Sequence, residues 1–287
     1  MLRTAWVAFQ RLPFVVRWPL KWVFVGVVVF LTLYPRPRLF SANIRHLMTL
    51  DKLTDPEDHA LAPWAAEFAA QLPPGVTARQ RLEIVDRFVR RKLPYQFDWV
   101  TWKVADYLPT IAEIVAVGRE DCDGRALIAA SLLRRYDPSA RVVTDFKHMW
   151  VRSDHGECLR PSGRPVLDAG REGVRVRWRH LPSVRGPAYG MAVFPIGREL
   201  IIAAAVGLAL ADPRLRMRTV LVAVAVLVNG LLIVRLAARD PWAPQMWGVW
   251  LGWAQMLGAL GGLAVAAGRA RRRDLRRTVG GFAGSSE

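Results

Sequence analysis

Residues Gly118 to Gly170 read GREDCDGRALIAASLLRRYDPSARVVTDFKHMWVRSDHGECLRPSGRPVLDAG, and the fold turns on this stretch. Asp121 is a natural N-cap for a helix whose apolar positions are Ala126, Leu127, Ala130 and Leu133, which places Cys122 at the first helical position. Backbone N–H groups without intrahelical partners and the helix dipole favour thiolate over thiol there. Short strands are expected at Arg141 to Thr144, His148 to Arg152 and Arg164 to Leu167, with HGEC (His155 to Cys158) in a hairpin turn. His148 then lies on one strand and Asp168 ends the next, so neighbouring strands could bring the two side chains together.

Upstream, Ser41 to Leu53 and Pro56 to Gln71 read as helices, the second stopped by Pro73-Pro74-Gly75. Thr77 with Gln80 forms a capping-box pattern opening a helix whose apolar face is Leu82, Ile84, Val85, Phe88 and Val89. Its arginines, Arg81, Arg87, Arg90 and Arg91, read as the solvated side. Thr110 with Glu113 repeats the capping pattern, and Gly118 closes a short helix from Ile111 to Val117.

Further out, the chain becomes a membrane protein. Of its 287 residues 52% are apolar, and they concentrate in Pro19 to Tyr34, Tyr189 to Ala211, Thr219 to Ala238 and Met246 to Gly268. Each approaches the roughly 20 residues needed to cross ~30 Å of hydrocarbon. The last carries no charge and gathers Trp247, Trp250 and Trp253 at one end, an interfacial signature. In the third, Arg235 is expected to snorkel outward from near the helix end. Arg198 and Glu199 interrupt the second and, being adjacent, do not face each other as an ion pair. The first resembles a signal-peptide core, but Pro35-Arg36-Pro37-Arg38 stands where a small-residue cleavage site belongs, which favours an uncleaved anchor.

The formal charge of +17 would ordinarily suggest nucleic acid. Residues 41–190, however, hold 23 Lys and Arg against 19 Asp and Glu, so the excess flanks the apolar stretches and reads as topology signal, with no nucleic-acid partner. If all four stretches span, the arginines of the 212–218 loop and of the tail, together with Arg3, Arg11, Arg17 and Lys21, lie on the cytoplasmic side. The expected organisation is a cytoplasmic segment and anchor (1–40), an α+β domain (41–187) on the periplasmic or extracellular side of a bacterial inner-membrane type bilayer, transmembrane helices (188–268, at about 189–211, 219–238 and 246–268) and a basic cytoplasmic tail (269–287). Dropping the second stretch would move the domain to the cytoplasm.

Nucleophilic catalysis needs a sulfur, a base within reach and a group that fixes the base's tautomer, and Cys122, His148 and Asp168 supply these in chain order. At this point the chain resembles the transglutaminase-like superfamily, relatives of the papain-like cysteine proteases. GREDCDGRALIAASLLR resembles that family's helix headed by the nucleophile, SARVV the strand after it, KHMWV its HAWV signature and VLDAG its final Asp segment. The resemblance covers roughly residues 78–172 and implies Cys122 as nucleophile, His148 as general base and Asp168 as orienting carboxylate. No Gln precedes Cys122 as a papain-type oxyanion donor, so the Cys122 N–H would serve, with an indole N–H from Trp99 or Trp102.

The implied activity is a membrane-bound cysteine hydrolase acting on amide bonds of a peptide or protein through a thioester. The alternatives are acyl transfer by a cross-linking transglutaminase, or an inactive binding or assembly module of the same fold. No cofactor is expected, and beyond the lipid bilayer and substrate the sequence leaves a membrane-protein partner unidentified. A zinc site joining His155 and Cys158 to Cys122 and His148 is the rival use of these side chains, though no CxxC pair supports it. Asp121 and Asp123 read as cap and first-turn residues and not as ligands. In an oxidising compartment Cys158 could close a disulfide with Cys122 and switch the enzyme off.

Overall fold

The computed structural model describes residues 9, 12–145, 148–160, 165–170, 173–177, 185–210, 212, 214–240 and 243–283. In chain order the longer helices are α1 (Phe14–Leu33), α2 (Pro37–Met48), α3 (Ala62–Ala69), α4 (Ala78–Lys92), α5 (Ile111–Val117), α6 (Cys122–Arg134), α7 (Arg185–Val193), α8 (Ile196–Leu210), α9 (Met217–Ala237) and α10 (Met246–Ala283). The strands are β1 (Arg141–Thr144), β2 (Met149–Ser153), β3 (Gly156–Cys158), β4 (Leu167–Gly170) and β5 (Gly173–Val176). The chain divides into a mixed unit, Tyr34–Gly186, and a helical unit formed by Met1–Leu33 with Pro187–Glu287.

In the mixed unit the strands form one antiparallel sheet in the order β3-β2-β1-β4-β5. Helix α6 packs against β1 and β2 on one side and α4 on another. Its residues Ala126 to Leu133 are almost wholly buried because Ala, Leu and Ile occupy every face of its middle turns. Phe68, Val85, Phe88, Leu127, Val142, Trp150 and Val151 belong to the same core. Both capping boxes form as their sequences predict: Thr77 accepts the Gln80 N–H and Thr110 that of Glu113, with each N3 side chain returning to the cap. Gly118 ends α5 at φ 68°, a left-handed conformation that suits glycine.

Several boundaries differ from the sequence expectation. Pro37 sits in the first turn of α2, so that helix starts ahead of Ser41 and stops at Thr49 before a further turn at Leu50–Leu53. Pro56 to Gln71 is only partly helical, with a 3-10 turn at His59–Leu61 ahead of α3. The strand expected at Arg164 to Leu167, whose first residue lies outside the described set, runs instead from Leu167 to Gly170. The strand after it, β5, takes up the chain, so Asp168 lies inside a strand and not at its end.

The helical unit contains three helices long and apolar enough to cross a bilayer, Val15–Leu33, Met217–Ala237 and Met246–Arg273. This is a membrane protein by that criterion. The expected span at 189–211 is not one continuous helix. Gly186–Val193 and Ile196–Leu210 meet at 113°, so the crossings number three, or four if the bent pair counts as one. Pro195 stands at the break, and a proline there removes an N–H and disfavours helix in the residue before it.

Arg235 does not snorkel to the helix end. Its Nη1 donates to the carbonyls of Met191 (2.6 Å) and Phe194 (2.8 Å), which the break leaves without helical partners, and to Glu199 Oε2 at 2.6 Å. Glu199 thus pairs across helices with Arg235 and not with its neighbour Arg198. Helices α9 and α10 approach closely at two glycines, since a Cβ on Gly230 would stand 2.7 Å from the Gly252 carbonyl oxygen and one on Gly252 2.6 Å from that of Gly230. Asn229 donates to Gln255 across the same contact at 2.7 Å. Helix α10 runs on through the arginine cluster to Ala283.

Candidate active site

The head of α6 is built as its sequence predicts. Asp121 caps it by accepting the Asp123 N–H at 3.2 Å, and Cys122 is the first helical residue. Ahead of the cap, Glu120 bridges in parallel to Tyr95 and is fully buried. Its Oε1 accepts from the Trp102 indole at 2.5 Å and its Oε2 from the Asp121 N–H at 3.0 Å. Gly124 makes this possible, because a Cβ there would lie 2.2 Å from Glu120 Cγ. Trp102 is therefore engaged with Glu120, which removes it as an oxyanion donor, while Trp99 stacks on Phe97 at 4.2 Å between ring centroids.

Cys122 Sγ donates to Asp123 Oδ1 at 3.6 Å, and the nearby Met149 backbone N–H acts in favour of the thiolate. Met149 follows His148 in the chain, so the N–H that acts on the thiol belongs to the residue next to the imidazole. Among the described residues, no hydrogen bond joins Cys122 to His148 in this resting arrangement. The expectation of a thiolate at the helix start is also corrected here. Burial pushes the Cys122 thiol well up, the carboxyl groups of Asp121 and Asp123 push it further, and the single Met149 N–H does not offset them. A helix-dipole contribution of at most ~2 kcal/mol is smaller than the desolvation and like-charge effects arrayed against it.

His148 stands just before β2, its ring parallel to that of Trp150 with centroids 6.3 Å apart. Its N–H donates to Asp145 Oδ1 at 2.8 Å, and its Nε2 lies 2.8 Å from the Leu159 carbonyl oxygen. A carbonyl oxygen only accepts, so Nε2 carries the proton, and in the neutral ring Nδ1 is the basic nitrogen. The Leu159 carbonyl is itself held in place. Leu159 and Arg160 have φ of 64° and 57°, and the Leu159 N–H donates to Asp86 Oδ2 of α4 at 2.9 Å.

Asp168 is elsewhere. Strand β1 lies between β2 and β4, so the strands carrying His148 and Asp168 are not neighbours as the sequence suggested. Asp168 Oδ1 accepts from Arg141 Nε at 2.9 Å, a cross-strand pair inside the sheet. The group that fixes the His148 tautomer is a backbone carbonyl, which no side-chain pattern could reveal.

Cys122 and Cys158 are both free thiols, with Cys158 buried and its thiol pushed up by burial. Of HGEC only His155 lies in the turn, with Asp154, while Gly156–Cys158 forms β3 and pairs with β2. His155 and Cys158 line a cavity of about 410 Å³ together with Leu82 and Asp86. Among the described residues, neither belongs to a grouping of three side chains that could hold a metal. The sequence reading passed over Asp98, Asp106 and Glu120, which crowd the head of α6 with Asp121 and Asp123. Set against known proteins, the chain is matched by no family model, no curated protein and no solved structure.

Proposed function

We propose that the chain is a membrane-anchored cysteine hydrolase of the transglutaminase-like type, acting on an amide bond of a peptide or protein. The observation that carries this reading is the packing of α6, headed by Cys122, against β2, the strand entered directly from His148, whose Nε2 is held by the Leu159 carbonyl in a defined tautomer. His148 Nδ1 takes the thiol proton as the sulfur attacks the substrate carbonyl, the amine leaves with that proton, and water resolves the thioester to release the acid. An acceptor amine in place of water would make the same site a transferase. The Cys122 N–H, at the first position of α6 and so without an intrahelical acceptor, is the oxyanion donor of this reading. Because the resting thiol is protonated, His148 must act as a base during attack and not merely stabilise a preformed ion pair.

A second reading, a binding module that keeps the fold without the activity, is favoured by the raised thiol pKa and the flanking carboxyl groups. Labelling with a peptidyl vinyl sulfone in bilayers, followed by mass mapping, separates the two. The hydrolase reading expects label on Cys122, a loss of more than about tenfold in His148→Asn, and a change of less than about twofold in Asp168→Asn. Absence of label between about pH 6 and 9 in the native chain, with labelling restored on denaturation, would leave the binding module. With the bent α7–α8 pair counted as one crossing, the arginine-rich loop and tail are cytoplasmic and the domain faces the periplasm or exterior. Reporter fusions placed in the mixed unit test that side.

A further inference from the structure

The turn at Asp98–Thr101, the loop leading to Tyr107 and the segment entering α6 converge on one spot, and each brings carboxyl groups to it. Donor atoms of Asp98, Glu120 and Asp121 lie within 4.8 Å of one another, and the same holds for Asp98, Asp106 and Asp123, and for Asp121, Cys122 and Asp123. Among the described residues, none of the five acids is ion-paired with a Lys, Arg or His.

An acidic cluster alone identifies no ligand, but Asp98 adds an independent sign. Its side chain is 1% exposed, and while its Oδ2 accepts the Tyr107 N–H at 2.6 Å, its Oδ1 is buried and, among the described residues, has no hydrogen-bond partner. Without a cation the carboxyl holds a proton, which relieves its charge but leaves the Oδ1 of the folded chain with no hydrogen-bond partner among the described residues. Buried polar atoms in native proteins find partners almost without exception, and beside so many other carboxyl groups a cation is the partner that satisfies the oxygen and their charge together. The neighbouring acids are positioned by contacts that leave lone pairs over: Asp106 Oδ2 accepts from Asn43 at 3.1 Å, and Asn43 also holds the loop through the Leu108 N–H at 2.9 Å.

We propose that Asp98, Asp106, Glu120, Asp121 and Asp123 form a binding site for a hard divalent cation, Ca²⁺ in preference to Mg²⁺, at the head of α6. The two groupings that contain Asp98 offer oxygen only, which selects hard cations over zinc. The donors come from three separate segments, and both Glu120 oxygens already accept hydrogen bonds. Such an irregular, many-oxygen set suits the flexible coordination of Ca²⁺ better than the strict octahedron of Mg²⁺. The bound ion would join the Asp98 turn to the helix that carries Cys122, a structural role that does not depend on whether Cys122 is catalytic.

Trp102, hydrogen-bonded to Glu120, supplies the reporter. The full-length chain in detergent, stripped with chelator, is titrated with Tb³⁺ while indole is excited, and Ca²⁺, Mg²⁺ and Zn²⁺ are then tested as competitors. The expected result is saturable Tb³⁺ luminescence displaced by Ca²⁺, with Mg²⁺ at least about tenfold weaker as a competitor. Asp98→Asn, which can keep the Tyr107 contact through its amide oxygen, should weaken Tb³⁺ and Ca²⁺ at least about tenfold. Asp106→Asn, an exposed position, should weaken both as well and decides the matter if Asp98→Asn fails to fold by circular dichroism. None of these readouts is labelling or turnover, so a failed hydrolase reading leaves this one standing. Absence of displaceable luminescence, displacement by Zn²⁺ alone, or unchanged affinity in folded Asp98→Asn and Asp106→Asn would overturn the site.

Discussion

The helical unit and the mixed unit both bury ionisable groups, and they do so in opposite ways. In the helical unit each described buried acid has a cation. Glu199 meets Arg235, and Asp212 accepts from Arg271 Nε at 2.7 Å and from the Arg214 N–H at 3.0 Å. Burial alone would raise the Asp212 carboxyl, but these contacts outweigh it and hold the group below its ordinary value. The mixed unit instead gathers five acids that, among the described residues, have no Lys, Arg or His paired with them. Burial raises Glu120 to about 8 and Asp98 to about 10, with Asp123 the chief charged neighbour of both, and Asp121 and Asp123 are pushed well above the ordinary range. A paired buried charge commits to the fold, whereas an unpaired cluster keeps its protons or waits for an external ion.

Breaking the paired side should cost most. Arg235→Ala strands Glu199 and uncaps the Met191 and Phe194 carbonyls together, so a loss of about 3–5 kcal/mol is expected in thermal unfolding of the detergent-solubilised chain. A loss below about 1 kcal/mol would mean that solvent or lipid replaces the guanidinium. The unpaired side should show itself next, through pH. Between the ordinary values of 3.8 and 4.5 and the raised values of about 10 and about 8, Asp98 and Glu120 bind protons in the folded state but not in the unfolded one. Stability of the chelated protein must then fall as pH rises through that window. Unfolding in chelator at about pH 6 and 9 checks the sign, and a protein more stable at the higher value would contradict the unpaired cluster.

A sharper probe of local packing is Gly124→Ala, whose methyl would collide with the pinned Glu120 side chain; about 1–3 kcal/mol of destabilisation is expected. Gly261→Ala meets nothing within 4 Å and should be silent in the same assay. The smallest effect belongs to Thr110→Ala, which removes one cap from α5 for about 1 kcal/mol, read as a small shift in the unfolding midpoint.

Local patterns were legible wherever the physics is local. The capping boxes at Thr77 and Thr110, the left-handed stop at Gly118, the Asp121 cap and the β1 boundaries depend on residues within a few positions of each other. The third and fourth apolar stretches were equally plain, since length and hydropathy alone qualify them. The second misled because its apolar count ignored what Pro195 does to a helix, and Arg235 misled because its partners lie 36 to 44 residues away. Within the candidate site, Cys122 heads its helix as expected and His148 falls one residue ahead of the strand expected to carry it, but two adjustments came from long-range pairing. The order β3-β2-β1-β4-β5 sets Asp168 beside Arg141, and the Leu159 carbonyl takes the place beside His148.

What the sequence determined by itself is a membrane-bound chain carrying an α+β unit with a cysteine at a helix head, because hydropathy length, capping and strand alternation are properties of consecutive residues. Only the tertiary structure decided the chemistry around that cysteine. Electrostatic fields add over everything nearby in space, and Asp98 and Asp106, some twenty positions before Cys122 in the chain, stand at the head of its helix and weigh on its surroundings as Asp121 and Asp123 do.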